Sequence, residues 1–168
     1  MHTHPSMIAL QSRAAHTLKA VLAETSAVQI LDLEMDAAGR SAGFDILARI
    51  QVYCHRYTLA CKVLPGENQE QLCSTLQELS RIAPRPDKYL MPVIIAPSLS
   101  PRSQALCRLN NAGFVDLAGN ARLELGEIFL ATRSLPHTRT RGAKRSAAQK
   151  FPPARAEAQT GNAASYSI

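Results

Sequence analysis

Residues 44–64 read FDILARIQVYCHRYTLACKVL, two alternating apolar runs parted by a short polar break at Cys54-His55-Arg56. In the first run Ile46, Ala48, Ile50 and Val52 share one face, and Asp45, Leu47, Arg49 and Gln51 share the other. In the second, Tyr57, Leu59, Cys61 and Val63 alternate with Thr58, Ala60, Lys62 and Leu64. Side chains of a strand point alternately to opposite faces. Period two in both runs, across so short a break, therefore predicts an antiparallel hairpin.

Upstream of the hairpin, Leu10, Ala14, Leu18, Val21 and Leu22 recur at helical spacing, which predicts a helix over residues 6–24 that starts at Pro5-Ser6. Residues 28–35, VQILDLEM, alternate Leu31, Leu33 and Met35 with Asp32 and Glu34, the pattern of a strand with one wet face. Residues 36–43 form a loop by composition.

Downstream, Leu64-Pro65-Gly66 breaks the sheet and a second helix is predicted over 67–83. Leu72, Cys73, Leu76, Leu79 and Ala83 are its apolar stripe, Glu67 and Glu70 suit the positive end of its dipole, and Pro84 and Pro86 stop it. Residues 89–96, YLMPVIIA, are nearly all apolar, as in a strand buried on both faces. Ser100 caps a third helix with Pro101 in its first turn, Ala105, Leu106, Leu109 and Ala112 on its apolar side, and Gly113 at its end. Residues 113–120 enter a further strand, and 122–126 with 127–131 finish the sheet as a hairpin turning at Gly126. The order α-β-β-β-α-β-α-β-β predicts an α/β fold: a mixed sheet with an N-terminal antiparallel meander and helices on both faces.

The chain has 168 residues, enough for one domain and a tail, and its 46% apolar content is that of a globular protein. Its formal charge of +6 is unevenly placed. Residues 1–132 hold 12 Lys and Arg against 12 Asp and Glu, whereas residues 133–168 hold seven basic residues against Glu157 alone. The basic character thus belongs to a tail rich in Pro, Ala, Ser and Thr with no apolar period, expected to be disordered. A domain over 6–132 and a tail over 133–168 are expected. Four cysteines, at 54, 61, 73 and 107, show no CxxC and no zinc-like spacing; Cys61 and Cys73 fall on apolar faces, and all four read as reduced structural thiols. No signal-like segment and no membrane-spanning apolar run occurs, so a cytoplasmic location and no membrane partner are expected.

From about Leu10 to Arg133 the element order resembles the restriction-endonuclease-like, or PD-(D/E)xK, nuclease superfamily. More narrowly it looks like a group of bacterial proteins whose nuclease-like domain precedes a winged-helix DNA-binding segment. The stretches that carry the likeness are Pro92-Val-Ile-Ile-Ala-Pro-Ser-Leu-Ser100-Pro101 and Gly113-Phe-Val-Asp116-Leu-Ala-Gly-Asn120. In that superfamily an Asp on the hairpin, with a Glu and a Lys two residues apart on the next strand, holds a divalent cation and orients the attacking water.

The resemblance makes Asp45 the retained carboxylate. It places Lys62 where the Glu belongs and Leu64 where the Lys belongs. With Tyr53 and Arg56 flanking the turn, Asp45 faces Leu64 and lies diagonally from Lys62; a register two residues shorter makes Ala60 and Lys62 the pair. In both registers the second acid is missing and no complete metal site is expected. Mg²⁺ enters only if Glu67 or Glu70 supplies a relocated carboxylate. Outside the nuclease reading, Asp45 is a strand-edge charge paired with Lys62 or with water.

Asp116 and Asn120 have two readings. In DLAGN the Gly-Asn pair suits a turn with positive φ whose amides Asp116 bonds, and a ligand-binding role is the other. The winged helix is absent, its place taken by the tail, where Arg139, Arg141, Lys144, Arg145 and Lys150 suit a nucleic-acid backbone. The function this implies is a catalytically inactive nuclease-fold module with a nucleic-acid-binding or regulatory role, its partner DNA through the tail. The alternatives are a metal-dependent nuclease with a relocated acid and a protein-interaction domain with no nucleic-acid role.

Overall fold

The computed structural model describes residues 6–36, 43–82, 89–126 and 128–133. They contain three helices and seven strands in the order α1 (Met7–Ala23), β1 (Val28–Met35), β2 (Ile46–Val52), β3 (His55–Val63), α2 (Gln69–Ile82), β4 (Leu90–Ala96), α3 (Pro101–Leu109), β5 (Gly113–Asp116), β6 (Ala121–Leu125) and β7 (Ile128–Thr132). The expected order holds, and the segments 122–126 and 127–131 expected as a closing hairpin are β6 and β7. All seven strands form one curled, mixed sheet in sequence order. The pairs β1–β2 and β2–β3 are antiparallel, β3–β4 and β4–β5 are parallel, and β5–β6 and β6–β7 are antiparallel again. The two parallel pairs fall where a helix intervenes, because only a crossover returns the chain to start a parallel neighbour.

One helix covers one face and two cover the other. Ile46, Ala48, Ile50, Leu59, Cys61 and Val63 from the hairpin meet Leu10, Ala14, Leu18 and Leu22 of α1 in the larger core. Leu64, Leu72, Leu76 and Leu79 pack with Ile94, Ala96, Cys107 and Phe114 in the smaller core beneath α2 and α3. Leu18, Leu22 and Leu59 are completely buried, and each contributes about 1.5–3 kcal/mol of hydrophobic stabilisation.

The hairpin forms with the predicted faces, but its turn is shorter than the polar break suggests. Val52 pairs with His55, so Tyr53 and Cys54 alone make the turn, with Tyr53 at φ 52°. Ile46 pairs with Cys61, and the ladder continued by one residue sets Asp45 opposite Lys62. The register that faces Asp45 with Leu64 is therefore corrected to the shorter one. Alternation alone cannot separate the two, since a shift by two residues keeps every side chain on its face.

Three further expectations change. In β1 the register slips between Ile30 and Asp32. The bulge at Leu31 shifts the alternation by one, so Val28, Ile30 and Leu33 all turn to the core and Leu31 is exposed; Met35, paired with the core residue Ile46, is exposed at the end of the strand. On α2 the buried side is Leu72, Thr75, Leu76 and Leu79, and Cys73 is exposed; Ala83, Pro84 and Pro86 lie outside the described residues. On α3 Ser103 and Cys107 are the buried positions and Leu109 is 80% exposed. That helix ends at Leu109, with Asn110 as its cap, and is closed by Asn111 rather than Gly113. Asn111 takes φ 54°, its amide donates to the Arg108 carbonyl and the Ala112 amide donates to that of Cys107, a Schellman closure in which Asn serves for Gly.

Gly113 instead opens β5, where an added Cβ would lie 2.7 Å from Leu123 Cδ2 and 3.1 Å from the Arg122 carbonyl oxygen. The last hairpin turns at Gly126, at φ +62° and directly against Tyr57, which leaves no room for a side chain there. The described fold falls within residues 1–134. The tail, with Arg139, Arg141, Lys144, Arg145 and Lys150, lies outside the described residues.

Candidate functional site

Asp45 sits just before β2 and closes a corner between α1, β2 and β3. Its amide donates to the Cys61 carbonyl at 2.9 Å and its carbonyl accepts from the Asp36 amide at 2.9 Å, so its backbone already belongs to the sheet. Its carboxylate accepts the Val63 amide on Oδ2 at 2.7 Å and the Gln11 side-chain amide on Oδ1 at 3.2 Å. The Lys62 ammonium lies 3.9 Å from Oδ2 and also donates to the Gly43 carbonyl at 3.3 Å. Both oxygens are thus engaged by donors, and the nearest charged partner is a cation. A carboxylate so satisfied has little left to offer a metal ion, whose binding would need other oxygen ligands beside it. Among the described residues, no group of three or more His, Cys, Asp and Glu stands close enough to hold one.

Gln11 is the residue at this corner that the sequence reading missed. It falls four residues before Ala15 and seven before Leu18, both buried on α1. Helical spacing thus carried the signal, and an amide on the buried side of a helix needs a polar partner such as Asp45. Cys61 lies alongside. Burial first, and the Asp45 charge second, push its thiol far above the ordinary cysteine range, which leaves it an inert neutral group.

Glu67 is placed elsewhere than expected. Helix α2 begins at Gln69, and Asn68 Oδ1 accepts the Glu70 and Gln71 amides. Glu67 precedes the helix and turns to α3, where its Oε1 accepts the Ser100 amide at 2.9 Å and the Ser103 hydroxyl at 2.7 Å. It thus ties the β3–α2 loop to the positive end of α3. Hydrogen bonding by the Ser100 hydroxyl, then by the Ser103 hydroxyl and the Ser100 amide, holds its carboxyl below the usual glutamate range.

A lowered folded-state value means that the stability Glu67 contributes is present above the ordinary glutamate value and is lost as pH falls through the lowered one. Thermal melts across the acid range are therefore expected to be less pH-dependent for Glu67→Gln than for the wild type. Superimposable acid limbs would show that this carboxylate contributes nothing to the linkage. Glu70 stands exposed in the first turn of α2.

Asp116 ends β5 and is 3% exposed. Its Oδ1 accepts the Ala118 amide at 3.0 Å and the Asn120 amide at 2.9 Å, and its Oδ2 accepts the Asn120 side-chain amide at 2.7 Å. The backbone closes the same loop through Asp116 N–H to the Asn120 carbonyl, with Gly119 at φ +94°. Asp116 and Asn120 therefore hold each other. The structure does not bring them to Asp45 and Lys62 in any shared bond.

Comparison with protein families, with curated proteins and with solved structures returns no match. The fold itself is an α/β domain built on a seven-stranded mixed sheet.

Proposed function

We propose that the chain is a nuclease-like α/β module of the restriction-endonuclease type that does not cleave and that contacts nucleic acid. The observation that carries the non-catalytic part is the Asp45 carboxylate, spent on Gln11, the Val63 amide and Lys62. Phosphodiester hydrolysis needs a nucleophile made strong by a metal or a base and a charge that steadies the departing oxygen. One carboxylate neutralised by one ammonium supplies neither. Glu67 as the relocated acid is already committed to the α3 terminus. The nucleic-acid part is supported by the seven basic residues among 133–168, a density that phosphate backbones attract through counterion release.

Supercoiled plasmid incubated with Mg²⁺ or Mn²⁺ is expected to stay intact. Nicking that disappears in Asp45→Ala would replace this reading by a metal-dependent nuclease. Binding to duplex DNA is expected to weaken steeply with salt, and to weaken further when Arg139, Arg141, Lys144, Arg145 and Lys150 are all changed to Gln in the full chain. No binding at low salt would leave a protein-interaction domain as the better reading, one that the balanced charge of residues 1–132 suits.

A further inference from the structure

The smaller core stops at β5. No residue of β6 or β7 joins it, so among the described residues no helix packs on the face of those strands on the α2 and α3 side. Arg122 and Glu124 of β6 alternate there against Ala121, Leu123 and Leu125, which turn to the larger core. Phe129 and Ala131 of β7 lie on the same open face, and Phe129 is 51% exposed. Helix α3 walls this shelf on one side. Between wall and shelf runs a groove of about 430 Å³, lined among others by Arg108, Arg122, Arg133, Gln104, Asn120 and Thr132.

The charges in this groove are one-sided. Three arginines line it, and no Asp or Glu does among the described residues. Neither Arg108 nor Arg133 has an ion-pair partner among the described residues. Arg122 is held in place, its guanidinium carbon 4.5 Å above the Phe129 ring and its Nη2 2.8 Å from Glu124 Oε1. That pair is open to water, with side chains 33% and 61% exposed. Exposed pairs of this kind are worth about 0–1 kcal/mol, so an incoming oxyanion can displace Glu124. Guanidinium forks suit phosphate because they offer two parallel N–H donors to two oxygens.

We infer that this groove binds the sugar-phosphate backbone of single-stranded nucleic acid, with Arg108, Arg122 and Arg133 on successive phosphates. Its volume is that of a single-ligand site, which admits a segment of one strand and not the girth of a duplex. The inference rests on the nucleic-acid reading above and adds to it a contact on the folded domain, apart from the tail. The site is assembled by topology: α3 brings Arg108, the β5–β6 pairing of Phe114 with Arg122 brings the second arginine, and the end of β7 brings the third.

The test is fluorescence anisotropy of a labelled oligothymidylate with the full chain over a series of salt concentrations. The double variant Arg108→Gln, Arg122→Gln, which keeps side-chain length and removes charge, is expected to lower the slope of log K against log salt by about 1.4, or about 0.7 per lost single-strand contact. Glu124→Gln, which frees Arg122, is expected to bind more tightly than the wild type, a gain that a merely structural role for Arg122 would not produce. Wild-type slopes and affinities in both variants overturn the groove. If in addition the tail substitutions abolish binding, the nucleic-acid reading stands without the groove. A wild-type chain that binds no oligothymidylate and no duplex sinks both.

Discussion

Asp45→Ala is expected to lower the unfolding free energy by about 2–3 kcal/mol, since it leaves the Val63 amide and the Gln11 side chain without their acceptor. The corner is only partly closed, with side chains 15% exposed for Asp45 and 29% for Lys62. The Lys62 ammonium can therefore turn to water, which keeps the loss below the ~3–5 kcal/mol of a fully buried broken pair. In a domain of this size the fall in melting temperature should be about 10 °C. Asp45→Asn retains an acceptor for Val63 and should lose roughly half as much.

The sign of the effect bears on function. Groups kept for chemistry commonly sit at a cost to stability, so their removal is neutral or stabilising. A carboxylate poised beside a second acid for a cation would behave that way. A large loss in Asp45→Ala, read by chemical denaturation, would mark the residue as a structural tie between α1 and the sheet. A gain in stability would instead point to a carboxylate held for a ligand, and would reopen the metal-dependent reading.

How much of this was legible follows from what each signal encodes. The hairpin could be read because alternation reports faces, and faces are what one-sided burial enforces. Its register could not, because Tyr53 at positive φ closes a two-residue turn that no turn-forming residue announces. The bulge at Leu31 was legible only as a slip of phase. Alternation in VQILDLEM breaks once, at the adjacent apolar pair Ile30-Leu31, and pairing with Arg49 shows that Leu31 is the extra residue. There Asp32 and Glu34 both reach Arg49, at 2.9 and 3.2 Å, which favours that phase on the wet face.

The helices show the other limit. Apolar residues alone assign Cys73 and Leu109 to the core, whereas Thr75 and Ser103 take the buried positions. Ser103 can be buried because Glu67, 36 residues earlier, accepts its hydroxyl. A partner so distant is invisible to any local window. The arginine groove is invisible for the same reason, since positions 108, 122 and 133 share no motif and meet only through α3 and the two antiparallel pairings at the end of the sheet.

Asp116→Ala should be the other costly substitution, at about 3 kcal/mol. A buried carboxylate with three donors cannot be removed without stranding the Ala118 and Asn120 amides. Gly119 sharpens the expectation. Its φ of +94° suits the loop only while the ends are tied, and its carbonyl also accepts the Thr132 hydroxyl, which links the loop to the end of β7. Releasing Asp116 should therefore loosen β7 as well as the loop. Amide hydrogen exchange separates this from a general loss of stability. In Asp116→Ala the Ala118 and Asn120 amides should exchange far faster than the Ile50 and Leu59 amides of the hairpin, whereas Asp116→Asn, which still offers Oδ1, should protect them in part. Uniform acceleration across both regions would mean that the loop has no stability of its own to lose. The distinction reaches the groove, because Asn120 and Thr132 line it. If the loop is a rigid strut, Asp116→Ala should weaken oligothymidylate binding without altering the salt slope, since it removes geometry and no positive charge.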